Sequence, residues 1–369
     1  MPIFWWYLLK NYLKVLILAV VSFIAILLVI QLEEIAQFAT IGAKPSYIFL
    51  FTLYQIVYIL PIAIPVSCLI SALILFQRLS HTQELTALRA GGLSLRSLTS
   101  PILIAGAFLT LCTFYISSEM ATSSHLATRK MIYDLTSVNP LILLQSAKIA
   151  RLKNAFVQMN PIRNGEEAGD LVIAINNPSA KRLNLCLAKR VEMSGLQLVA
   201  SQVSLISSSP SEKGSDHLLI ENQKSMTSQA PQFASLLRKS GWKIANDHLK
   251  FSLLRARMAD VRIQLNQRES ASRVLNKCRT EIARRISMGL SAFTFTLMGV
   301  AFGMGISRHW SKRGVITVLV LSALTLIAFC VAKELDHLTL LASFLFLAPH
   351  GFMIAASLWT MRRINLGIE

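Results

Sequence analysis

Glu84, Leu85, Leu88 and Arg89 stand at helical spacing in a short polar stretch, residues 78–96, between two long apolar runs. That pattern does no bond chemistry. It sets one acid and one base beside a leucine edge, which suits either a docking element for a partner or an amphipathic helix lying on a membrane. The groups that bond chemistry needs are missing. No G-x-x-x-x-G-K-[ST] cradles a nucleotide phosphate, no H-E-x-x-H offers a zinc site, and no G-x-S-x-G elbow raises a serine. The seven histidines are scattered and pair with no acidic residue at metal spacing. The five cysteines have no zinc-ligand spacing and form no disulfide framework. Cys68, Cys112 and Cys330 fall inside apolar runs, and only Cys186 and Cys278 lie outside them.

The elements around the polar stretch follow from local signals. Ser80 followed by Gln83 matches a capping box, with Thr82 as the alternative cap, for a short helix carrying Glu84 to Arg89. Gly91-Gly92 ends that helix, because glycine takes the left-handed conformation cheaply. Ser94 caps the next one. On both sides the chain is too apolar for a soluble domain. Of its 369 residues 53% are hydrophobic and 15% charged, against about 25% charged in soluble domains. The mean hydropathy is +0.52.

Six uncharged runs predict six membrane spans: Val15 to Leu32, Pro45 to Gln77, Ser97 to Ser118, Ile286 to Ser307, Gly314 to Ala332 and Leu338 to Met361. Each covers a hydrocarbon core of about 30 Å at ~1.5 Å per residue. The first run exceeds the ~7–15 residues of a signal-peptide core and reads as an uncleaved helix. Pro61 and Pro65, four apart, predict a kink in the second span. Gly299-x-x-x-Gly303 allows close packing of the fourth. The middles of the spans hold no Asp, Glu, Lys or Arg of the kind an ion-coupled carrier needs. A transporter with neither an ion relay nor an ATP site takes its energy from another chain.

The short connections set the orientation. One side carries Lys10, Lys14, Arg78, Arg89, Arg96, Arg308, Lys312, Arg313, Arg362 and Arg363 against Glu84 and Glu369. The other carries Lys44 and Lys333 against Glu33, Glu34, Glu334 and Asp336. Both termini and residues 78–96 are therefore expected in the cytoplasm, and residues 119–281 outside it.

Within residues 119–281 the pattern changes to short alternating runs: Phe156 to Asn160, Leu171 to Ile175, Leu183/Leu185/Leu187, Leu196 to Ala200, Val203 to Ile206 and Leu218 to Ile220. Turn-prone stretches at Asn164-Gly165, Asn176-Asn177-Pro178, Ser194-Gly195 and Ser207 to Gly214 separate them. Short strands at this spacing predict an antiparallel sandwich or barrel. Met120 to Leu135 and Glu269 to Arg285 flank it as helices that run into the third and fourth spans. The segment carries 23 basic and 13 acidic residues, which suits an anionic ligand or membrane surface, or simply a solvated face. Nothing in it points to nucleic acid.

The stretches Leu60-Pro61-Ile62-Ala63-Ile64-Pro65, Gln77-Arg78-Leu79-Ser80 and Glu84 through Ser94 resemble the signature of the LptF/LptG lipopolysaccharide export permeases. Leu196 to Gln223 resembles that family's periplasmic strands, and Glu281 to Arg285 the start of its fourth span. The plan of three spans, an exported sheet and three spans agrees, so the likeness covers nearly the whole chain. It implies a membrane α-helical fold of six transmembrane helices with an inserted all-β periplasmic jellyroll-like domain. The domains would be residues 1–118, 119–281 and 282–369.

The resemblance also implies a function. Family members sit in the bacterial inner membrane, pair as a heterodimer with a paralogous six-span subunit above a cytoplasmic ABC ATPase dimer, and extract lipopolysaccharide for a periplasmic jellyroll bridge protein. Such a chain is no enzyme and holds no cofactor; ATP and magnesium belong to the partner ATPase. Arg78, Glu84, Leu85, Leu88, Arg89, Gly91 and Gly92 would form the helix coupling it to that ATPase. Arg284, Arg285 and Lys333 would meet phosphates of the anionic glycolipid at the outer ends of spans. One departure is Glu33 and Glu34, where some relatives carry basic residues; either the glycolipid's phosphate content differs or the partner subunit supplies the positive charge. The Ala-Gly-Gly-Leu-Ser wording leans toward LptF, with the paralogue left open. The rival classes are a membrane-anchored periplasmic scaffold or receptor, and a membrane-embedded enzyme acting on lipid.

Overall fold

Apolar segments in a bilayer must satisfy their backbone internally, and here they do so as helices. In the computed structural model, the described residues are 2–40, 45–138, 141, 149–151, 155–163, 166–177, 182–195, 197–209, 217–229, 246–263, 269–305, 312–335 and 338–366. The helices are α1 (Pro2–Thr40), α2 (Pro45–His81), α3 (Glu84–Ala90), α4 (Leu95–Tyr115), α5 (Ala121–Val138), α6 (Phe251–Ile263), α7 (Glu269–Gly303), α8 (Lys312–Glu334) and α9 (Thr339–Asn365). A single π-helical turn, Ile116–Met120, joins α4 to α5 without a break, and a 3₁₀ turn, Asn246–His248, precedes α6. Six of these stretches are long and apolar enough to cross a membrane: Ile3–Ala36, Pro45–His81, Leu95–Asp134, Ser272–Gly303, Gly314–Glu334 and Thr339–Asn365. Most run beyond the uncharged cores, because a helix continues past the hydrocarbon until a cap or glycine stops it.

The chain divides into two compact units. One comprises residues 1–31, 53–126 and 244–369, and the other residues 32–52 and 127–243. The positions 119 and 281, expected as domain limits, both fall inside continuous helix, in the π-turn and α7.

In the first unit α7 is the central helix, packed on α4 and α9. Small residues make this approach close. A Cβ on Gly106 of α4 would stand 3.0 Å from the Thr296 side chain, and Gly289 lies against Phe114. Gly299 and Gly303 bring α7 onto the backbone of α2 at Leu69 and Leu73, which is the use that small-x-x-x-small spacing serves in membranes. Around them Leu8, Tyr12, Cys68, Phe76, Leu85, Leu98, Ile102, Val300 and Ile364 form one buried cluster. The α1 span contributes least: only 6% of its apolar window is buried, although Leu8, Tyr12 and Leu16 join the cluster.

The second unit holds one six-stranded antiparallel sheet in the order β1-β2-β3-β4-β5-β6: Ile149–Arg151, Ala155–Arg163, Glu167–Asn177, Arg182–Ser194, Gln197–Ser209 and His217–Gln229. Among the described residues this is an antiparallel meander, with each strand beside its sequence neighbour. Of the run Leu196 to Ala200, Leu196 lies outside the described residues, and Gln197 to Ala200 share one strand, β5, with the run Val203 to Ile206. Gln202 between them takes φ 53° and drops out of the pairing on both sides, so the strand bends without ending. Asp170 does the same in β3 with φ 50°. The tight turn at Ser194-Gly195 is present, with Gly195 at φ 63°; the expected turns at Asn164-Gly165 and Pro178 lie outside the described residues.

One face of the sheet is a buried core of Val157, Met159, Ala168, Ile173, Ala188, Val191, Leu198 and Val203. The leucines that advertise the alternation, Leu185 and Leu187, are on the opposite face, half-buried with Val172, Val199 and Ile206. The sheet is therefore apolar on both faces. Arg190 of β4 is held by Glu167 and, at 3.0 Å, by Glu192; its bond to Glu167 raises its pKa.

Candidate functional site

The loop between the second and third spans is keyed into the bundle at both ends. Ser80, expected as a helix cap, is still inside α2, and its hydroxyl accepts a bond from the Gly305 amide at 3.0 Å. Gln83 precedes α3 with φ 59° and makes no side-chain cap bond, so the capping box does not form. Thr82 does not cap α3 either: its hydroxyl donates to the Arg78 carbonyl (2.9 Å) and to Glu84 Oε1 (3.0 Å). The reason is that α2 runs to His81 and consumes the residues the box would need. Arg78 is exposed in its last turn. Only Glu84–Ala90 forms the separate loop helix, and Arg96 belongs to α4.

The end of α3 follows the sequence closely. Gly92 takes φ 85°, the Gly92 amide donates to the Arg89 carbonyl (3.0 Å) and the Leu93 amide to the Leu88 carbonyl (3.2 Å). That pair of bonds is the Schellman motif. Ser94 caps α4 by accepting from the Ser97 amide at 3.3 Å.

The expected leucine edge is reversed. Leu85 is 2% exposed and belongs to the bundle's main cluster, with Leu88 packed against it. Thr86, Ala87, Ala90 and Gly91 face outward instead. A leucine on a short helix gains more from the apolar bundle beneath than from waiting in water for a partner. Arg89 reaches back as well, with Nη2 donating to the Asn365 carbonyl of α9 at 3.4 Å. Glu84 stays part-exposed at the start of α3.

The three basic residues expected at a glycolipid have different fates. Arg285 is fully buried. Its Nε donates to Glu281 Oε1 (2.8 Å), Nη1 to the Ser118 carbonyl (3.4 Å), and Nη2 to the carbonyls of Asn246 (3.2 Å) and Leu249 (2.7 Å). Its expected contact with substrate phosphate is therefore corrected: the guanidinium is spent inside the chain. Two consecutive arginines on a helix point about 100° apart, and this one turns inward. Arg284 makes a two-pronged pair with Glu281, 2.7 Å from each oxygen, and stays part-exposed. Lys333 is exposed in the last turn of α8.

Two polar groups went unread in the sequence. His350, mid-way along α9, is buried between Ser287 Oγ (2.9 Å from Nε2) and Thr294 Oγ1 (3.0 Å from Nδ1) of α7. It borders an apolar cavity of about 120 Å³ between α2, α7, α8 and α9, beside Pro61 and Pro65. A lone histidine in the uncharged run Leu338 to Met361 was the available signal. His125 and His248 meet with Nδ1 atoms 2.7 Å apart, and Tyr58 stacks on His125. Nothing in the spacing of residues so far apart announces that pair.

Six spans, an inserted antiparallel sheet and a short keyed helix between the second and third spans define a multi-pass membrane protein with an inserted β domain. The family described as lipopolysaccharide export system permease LptF/LptG matches residues 6–363, and the chain belongs to it. The protein is thus a multi-pass inner-membrane permease, the membrane component of a transporter. No curated protein matches the chain.

Proposed function

We propose that this chain is one half of a heterodimeric permease. In this reading it draws lipopolysaccharide or lipooligosaccharide from the inner membrane and passes it along residues 119–281 to a periplasmic bridge protein. Both termini are cytoplasmic, and a separate ABC ATPase dimer carrying ATP and magnesium drives the cycle. The observation that carries the reading is the family match across nearly the whole chain.

Three features support it. The outward face of α3, Thr86, Ala87, Ala90 and Gly91, is small enough to enter a groove on an ATPase, with the Glu84 carboxylate at its start. The almost bare α1 span suits a subunit interface. The sheet's half-buried second face suits acyl chains. Lys333 is the exposed cation we assign to a glycolipid phosphate.

A pull-down from mild detergent tests the reading, comparing wild type with Glu84→Ala and Ala87→Trp. An ATPase and a second six-span protein are expected with wild type, and less ATPase with either variant. If wild type brings down no ATPase in several detergents, the chain is better read as an exported scaffold.

A further inference from the structure

The chain leaves the helical unit through α5 and returns to it just before Asn246. Both crossings are held by one side chain. Arg285 of α7 donates to the Ser118 carbonyl in the π-turn at the head of the outgoing crossing. With its other nitrogen it donates to the Asn246 and Leu249 carbonyls at the foot of the returning one. Single π-helical turns are rare and concentrate at functional positions; here the turn presents a carbonyl to the guanidinium. Glu281, one turn earlier on α7, neutralises the buried charge and aims the fork.

Other contacts brace the same joint. His125 on the outgoing helix meets His248 on the returning strap at 2.7 Å. Phe251 at the start of α6 lies edge-on to Phe114 of α4, with ring centres 5.7 Å apart. The arrangement has the form of a coupling and exceeds what a buried ion pair needs. A lysine would satisfy Glu281, but only a planar fork with five donors reaches carbonyls on two further segments at once.

We propose that Arg285 is a positioning residue for transport: it clamps α7 to both chain crossings, so that displacement of the fourth span is delivered to the exported sheet. The inference rests on the export reading above. It predicts a defect at one step, the transfer of glycolipid from spans to sheet, with capture in the membrane preserved.

The test uses the full complex with its ATPase, in vesicles containing purified lipopolysaccharide. A photoreactive residue replaces Ile62 beside the membrane cavity or Leu187 on the sheet. Wild type labels at both positions when ATP is supplied. In Arg285→Met, labelling at 62 persists and labelling at 187 falls by about tenfold, the scale of a broken coupling path. Arg285→Lys behaves the same way, and the exchange Glu281→Arg with Arg285→Glu fails to restore transfer, because a carboxylate cannot donate to carbonyls.

Unchanged labelling at 187 in Arg285→Met overturns the clamp. Recovery in the exchanged pair reduces Arg285 to an ion-pair partner and also overturns it. Joint loss at both positions with a lowered unfolding temperature makes the residue merely structural. Wild type that labels at neither position removes the export reading itself, a result distinct from these.

Discussion

Gly299 of α7 faces the Leu69 carbonyl of α2 so closely that a Cβ on it would stand 2.6 Å from that oxygen and 2.8 Å from the Ala72 methyl. Neither neighbour is the loose end of a flexible side chain, so the helices must separate to admit a methyl group. Gly299→Ala is expected to destabilise the bundle by about 1–3 kcal/mol, the range for overpacking. Gly351→Ala, where a Cβ meets nothing within 4 Å, is the control. Thermal unfolding in detergent decides, and equal midpoints for the two variants would refute the close contact.

The two glycines after α3 differ in conformation. Gly92 has φ 85°, whereas Gly91 has φ −71° and ordinary contacts for a Cβ. Gly92→Ala therefore forces a left-handed alanine, at a cost of roughly 1–2 kcal/mol, and loosens the turn fixing α3 to α4. Gly91→Ala is tolerated. ATPase recovered with each variant reports the difference: a fall for Gly92→Ala alone is expected, and the reverse order would contradict the Schellman ending.

Leu85 and Thr86 are sequence neighbours on α3, the first buried and the second exposed. Leu85→Ala opens a gap in the main cluster and costs about 2–5 kcal/mol, while Thr86→Ala changes stability little. Unfolding midpoints of the two variants separate an inward leucine from a docking leucine. A docking leucine would leave the midpoint alone and weaken only partner binding.

Burial pushes the Cys186 thiol of β4 above its ordinary value. The protonated thiol is thus favoured in the folded sheet. That contribution to stability is complete below the unfolded value of about 8.5 and is lost as pH rises through the folded value. Alkylation, which needs the thiolate, should be slower at pH 8 in the native chain than in denaturant, and should keep rising above pH 9. Peptide-resolved mass spectrometry reads this position separately from the other four cysteines, and equal native and denatured rates at pH 8 would dismiss the shift.

The sequence by itself determined the spans, the sheet and the end of the loop helix, because each depends on local physics. An uncharged run long enough to cross a bilayer has no alternative to helix, alternating runs between turn residues pair as strands, and Gly92 and Ser94 act within a few residues of themselves. The resemblance in Glu84 to Ser94 likewise pointed to the family that the whole chain matches. What only the tertiary structure decided is where side chains spend their bonds. Ser80 went to Gly305, Leu85 to the bundle and Arg285 to carbonyls far along the chain. Each left an expected local role because burial among distant partners satisfied it better, and those partners come together only when the helices pack.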